Sequence, residues 1–70
     1  MCGIIGIASN KSVTSNIINS LKRLEYRGYD SAGIATIFKK NLNEKKCSGR
    51  VEELEKILFN SPAHGNIGIG

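Results

Sequence analysis

The spacing of apolar residues changes several times along the seventy positions, and each change marks the start of a new element. Gly3-Ile4-Ile5-Gly6-Ile7-Ala8 is β-branched and apolar at consecutive positions, which predicts a strand buried on both faces. The polar run Ser9-Asn10-Lys11-Ser12, rich in N-cap residue types, precedes Val13, Ile17, Leu21 and Leu24 at spacings of four, four and three. Those four predict one face of a helix. Asn16, Asn19, Ser20, Lys22 and Arg23 fill much of the remaining surface, and Gly28 is its expected stop.

Tyr29-Asp30-Ser31 reads as a loop, and Ala32 to Phe38 returns to small and β-branched residues as a second strand. Lys40-Asn41 is the expected turn. Leu42 to Ser48 is then a more polar strand, paired antiparallel at a sheet edge where Lys45 and Lys46 discourage further pairing. After Gly49, the positions Val51, Leu54, Ile57 and Leu58 share a helical face, with Glu52, Glu53 and Glu55 toward the positive end of the helix dipole. Asn60-Ser61-Pro62 closes this helix, and Ala63 to Gly70 turns into a last strand. The order strand, helix, strand, strand, helix, strand predicts an α/β (α+β) chain with no repeat or linker. Stopping inside a Gly-Ile alternation predicts a terminal strand without a neighbour, and hence a fragment.

Composition narrows the function classes. Nineteen of seventy residues are Ile, Leu, Val or Phe, above the ~20% level below which disorder is expected. A chain of this size still buries only ~60% of its unfolded surface, so little stability is to spare. Two cysteines are too few for a disulfide scaffold. The net charge of +4 is spread over scattered lysines and arginines with no run of five, which argues against nucleic-acid binding. The apolar stretch Cys2 to Ala8 is far short of the ~18 residues of a membrane helix. It also lacks a basic region upstream, and position 2 is not the glycine that myristoylation requires. A cytoplasmic chain with reduced thiols is expected.

Cys2 is the chief chemical candidate. Removal of Met1 would give one residue both a thiol and a free α-amino group, whose pKa of ~7.7–8.0 suits a base at neutral pH. The other reading of Cys2 is a small buried hydrophobe at the start of a strand. Cys47 has no nearby ligand cluster, so neither zinc nor a disulfide is expected there. His64, the single histidine, is flanked by Pro62, Ala63 and Gly65 and belongs to an exposed turn. The glycines from Gly65 to Gly70 lack the Lys-Ser/Thr of a phosphate loop and read as strand and turn positions.

The opening Met1-Cys2-Gly3-Ile4-Ile5-Gly6 resembles the start of class II glutamine amidotransferases, which are N-terminal-nucleophile hydrolases. Leu24-Glu25-Tyr26-Arg27-Gly28-Tyr29-Asp30-Ser31-Ala32-Gly33-Ile34-Ala35 resembles the signature of the glutamine-dependent fructose-6-phosphate aminotransferase family. Amidophosphoribosyltransferases and asparagine synthetases share only part of it. The resemblance runs through Gly49-Arg50-Val51 to the closing glycine-rich segment. It implies that residues 1–70 are the N-terminal fragment of a class II glutamine amidotransferase domain, an incomplete piece of an N-terminal-nucleophile hydrolase αββα sandwich.

The resemblance further implies Cys2 as catalytic nucleophile toward glutamine, with Arg27, Gly28 and Asp30 shaping the site. Structural alternatives stay open for these three as a helix cap and turn, and for Tyr26 and Tyr29 as cover for the sheet. No metal or dissociable cofactor is implied. Family enzymes form homo-oligomers and pass ammonia to sugar isomerase domains that use fructose 6-phosphate. Those domains, and the family's His-Thr-Arg-Trp, Asn-Gly and Asp substrate and oxyanion residues, lie outside the seventy positions. The chain alone is therefore expected to be inactive, since loss of one oxyanion donor costs ~10²–10³ in turnover. Two rival readings are an inactive remnant or partner-dependent interaction piece, and a small basic binding module.

Overall fold

Residues 3–28 and 30–70 are described by the computed structural model, with Arg27 described in its backbone alone. In chain order the elements are β1 (Gly6–Ala8), α1 (Thr14–Leu24), a 3-10 turn (Glu25–Arg27), β2 (Ser31–Phe38), β3 (Asn41–Ser48), α2 (Val51–Asn60) and β4 (Ile67–Ile69). The four strands form one sheet in the order β1-β4-β2-β3. Every neighbouring pair is antiparallel, which makes the arrangement α+β.

The last strand does not lack neighbours. β4 lies between β1 and β2, with Gly68 opposite Ile7 on one side and Thr36 on the other. Beyond its end, the Gly70 amide donates to the Ile5 carbonyl (2.8 Å) and the Ile5 amide donates to the Gly70 carbonyl (3.1 Å). The unpaired strand expected from the sequence is thus corrected. The Gly-Ile segment lies between β1 and β2 and satisfies backbone groups on both sides.

Helices cover one face of the sheet. Val13, Ile17, Ile18 and Leu21 meet Ile34, Val51, Leu54, Leu58 and Ala63 in a single core, with Ile5, Ile7, Leu24, Ala32 and Cys47 packed at its margin. Of the predicted helix faces, Val13, Ile17, Leu21, Val51, Leu54 and Leu58 are buried, whereas Leu24 and Ile57 are half-buried. Thr36, fully buried among them, donates its hydroxyl to the His64 carbonyl at 2.8 Å, so its polar group is not left unsatisfied. Lys22 Nζ bridges the two helices to Glu55 Oε1 at 2.8 Å across an exposed rim.

The opposite face is open, which corrects the prediction that the first strand is buried on both sides. Ile4 is 88% exposed, and Ile67, Ile69, Ile37 and Leu42 are also exposed. The pairings Gly6 with Ile69, Ala35 with Ile69 and Ile37 with both Ile67 and Leu42 put these side chains on one surface. Alternation through β1 and the extended residues just before it accounts for the difference: Ile5 and Ile7 pack against the core, whereas Ile4 is exposed.

Turns depart from expectation by single positions. The α1 N-cap is Val13 without a side-chain cap bond, so none of Ser9, Asn10 or Ser12 serves. Thr14 Oγ1 instead donates to the Ala63 carbonyl. The β2–β3 hairpin turns at Lys39-Lys40 and not at Lys40-Asn41, because Asn41 pairs with Phe38. Both lysines have positive φ, 52° and 69°, the backbone that a two-residue turn of matching twist requires. Ser31, expected in the loop, already pairs with Ser48.

Candidate functional site

At the end of β2 where the chain leaves the 3-10 turn, a cleft of about 230 Å³ opens between α1, the start of β2 and the start of α2. Its walls include Gly3, Leu24, Glu25, Gly28, Asp30, Gly49 and Gly70. The motif residues Gly28 and Asp30 thus share a cleft with Gly3, whose chain neighbour is Cys2. Gly3 is close against Leu24: a Cβ at position 3 would lie 2.8 Å from Leu24 Cδ1. A side chain at position 3 would require the Leu24 side chain to move aside.

Cys2 and Tyr29 lie outside the described residues, as does the Arg27 side chain. Gly28 ends the 3-10 turn with φ 111°, a left-handed backbone that favours glycine, and its amide donates to the Glu25 carbonyl at 2.9 Å. The helical stop predicted at Gly28 is therefore in place, one short turn after α1 proper. Asp30 is exposed, and its carbonyl accepts from the Gly49 amide at 2.7 Å. Tyr26 is 84% exposed and covers no part of the sheet.

Glu25 has a role that the sequence did not indicate. Its Oε2 accepts from the Val51 amide at 2.8 Å, placing a carboxylate at the N-terminus of α2, where donors lack intrahelical partners. The residues are twenty-six positions apart and no local pattern couples them. Gly49, at φ 92°, turns the chain so that residues 49 and 51 both face the 25–30 segment.

Other candidates fall elsewhere. His64 is exposed, with its ring 6.2 Å from that of Phe38 at the far end of β2. An eight-residue strand separates it from the cleft by roughly 23 Å. Cys47 is a free, half-buried thiol on β3. Burial pushes it above the ordinary thiol range, the Glu53 carboxylate pushes it further, and a backbone hydrogen bond at Ala32 opposes both. Among the described residues no cluster of His, Cys, Asp and Glu could hold a metal. No helix among them is long and apolar enough to cross a membrane.

Comparison with known proteins places the chain among relatives of one name. It is 53% identical over all 70 residues to glutamine–fructose-6-phosphate aminotransferase (isomerizing) of Bartonella henselae. The same-named enzyme of Clostridium acetobutylicum is 49% identical over 70 residues. That of Rhizobium meliloti is 49% identical over 69. The seventy residues span 12% of the Bartonella and Clostridium proteins and 11% of the Rhizobium protein. No protein-family model matches the chain. Over its whole length the chain is a homologue of these aminotransferases, in agreement with the resemblance carried by its motifs.

Proposed function

We propose that the chain is part of the glutaminase domain of a glutamine–fructose-6-phosphate aminotransferase, with Cys2 as its nucleophile. The observation that carries this reading is the cleft shared by Gly3, Gly28 and Asp30, in a chain homologous to those enzymes along every residue. With Met1 removed, the Cys2 amine takes the thiol proton and the thiolate attacks the glutamine side-chain amide. Ammonia leaves with that proton, and water hydrolyses the γ-glutamyl thioester to glutamate, restoring the thiol. Arg27, Gly28 and Asp30 shape the loop beside the nucleophile.

The exposed apolar side of the sheet supports the reading that this is one half of an αββα sandwich, since five large aliphatic side chains stand there without cover. Glutamine is then the substrate of this part, and fructose 6-phosphate belongs to domains beyond the seventy residues.

The test has two parts, the mass measured on the polypeptide as its host produces it and the activity on a polypeptide that also carries the family's substrate and oxyanion residues beyond position 70. Intact mass should show loss of Met1. Cys2→Ala should abolish glutamate release, and activity equal to the parent would remove Cys2 as nucleophile.

A further inference from the structure

We infer that Glu25 is a positioning residue for the candidate site, fixing the Arg27-Gly28-Asp30 loop by holding the first turn of α2. The inference rests on reading the cleft as a glutaminase site, and the observations behind it are two hydrogen bonds that join the same two segments. Glu25 Oε2 accepts from the Val51 amide (2.8 Å), and the Gly49 amide donates to the Asp30 carbonyl (2.7 Å). Positions 25 and 30 bracket the loop, and both are tied to residues only two apart in the chain.

The first tie is the stronger kind. An ionised acceptor makes a shorter and firmer bond than a neutral one, and a carboxylate at a helix N-terminus also gains from the helix dipole. Arg50, the α2 N-cap, makes no side-chain cap bond, so Glu25 supplies from a distant segment what a local Ser, Thr or Asp usually provides. Glu25 lines the cleft together with Gly28, Asp30, Gly49 and Val51, so its bond sets the wall on which the loop stands. It acts through the loop, and a displacement of about 1 Å in such a support can reduce catalysis ~10²-fold.

The experiment compares E25A, E25Q and L54A in a polypeptide that also carries the family's substrate and oxyanion residues beyond position 70, reading kcat/KM for glutamine hydrolysis and hydrogen exchange at the Gly28 and Gly49 amides. Leu54 is fully buried in the core and lines no part of the cleft, so L54A is the control for lost core packing. The expected result for E25A is lost protection at both amides and a 10- to 100-fold lower kcat/KM. E25Q keeps an oxygen acceptor and should stay within about threefold of the parent. L54A should lower the melting temperature while its folded fraction keeps the parental kcat/KM. Protection retained in E25A, or E25A and L54A changing kcat/KM alike, would overturn the inference. A parent that hydrolyses no glutamine would sink the glutaminase reading instead. Exchange at Gly28 and Gly49 would then still decide whether Glu25 holds the loop.

Discussion

Thr36 and Gly68 face one another across β2 and β4, and a Cβ on residue 68 would stand 2.9 Å from Thr36 Cγ2 and 2.8 Å from Ile17 Cδ1. The missing side chain is what lets α1 rest on the middle of the sheet. Gly68→Ala should therefore destabilise by ~1–3 kcal/mol, the range for overpacking a filled core. Gly65→Ala should cost more, because its Cβ would meet the Ile37 carbonyl, a backbone group that cannot swing aside. Denaturant midpoints of the two variants check the order; a smaller loss for Gly65→Ala would contradict it.

The hairpin carries an avoidable strain. Lys40 holds φ 69° with an ordinary side chain, whereas glycine adopts that backbone freely. Lys40→Gly should raise stability by ~0.5–1 kcal/mol after the entropy lost by glycine is counted. Lys39 is better left alone, because its Nζ lies 5.3 Å from the Phe38 ring centroid in a cation–π contact. Thermal melts of Lys40→Gly and Lys39→Gly would separate the two effects.

Cys47 should react slowly while the chain is folded. Burial raises its pKa first and the Glu53 charge second, so the folded state favours the thiol over the thiolate. The sign for stability follows: the contribution is complete below the unfolded thiol value of ~8.5 and is lost as pH rises through the higher folded value. In a Cys2→Ala background, where Cys47 is the remaining thiol, iodoacetamide should label native protein more slowly than denatured protein at pH 8.5. Glu53→Gln should speed the native reaction. Equal rates in all three samples would remove the effect.

The open side of the sheet makes a solubility prediction for the seventy residues by themselves. Ile67 and Ile69 are 51% and 63% exposed on adjoining rows of that surface. Replacing both with Thr keeps β-branching and strand preference while removing apolar area. The double variant should bind less of a hydrophobic dye and remain monodisperse at higher concentration, with its melting midpoint changed by under ~1 kcal/mol in equivalent stability. Light scattering and dye titration give the comparison.

Helix faces were the most legible part of the fold, since Ile17, Leu21, Leu54 and Leu58 are spaced by a local rule that packing then obeys. Ile18 sits beside that stripe, and its burial in the shared core is set by tertiary packing that local spacing does not show. Strand burial failed at Ile4 for a related reason: an apolar run states that a surface is hydrophobic, not that this same chain covers it. The glycine of the left-handed turn at position 28 was readable, but the tie from the Glu25 carboxylate to the start of α2 was not. Glu25 and Val51 are joined only by the fold, and no residue-type pattern connects them.

The strand order has a consequence for synthesis on the ribosome. β1 emerges first, yet its sheet partner within the seventy residues is β4, made last. The β2–β3 hairpin, with a two-residue turn, can close as soon as residue 48 is out, and α2 can pack on it soon after. The N-terminal segment must then wait, unpaired, through some sixty residues of elongation, or ~3–12 s at 5–20 residues per second. During that interval the backbone donors and acceptors of β1 have no strand to bond and stay with water. Only when Ile67 to Ile69 arrive does β1 gain its antiparallel neighbour, so the pairing of the two ends of the chain completes the sheet last of all.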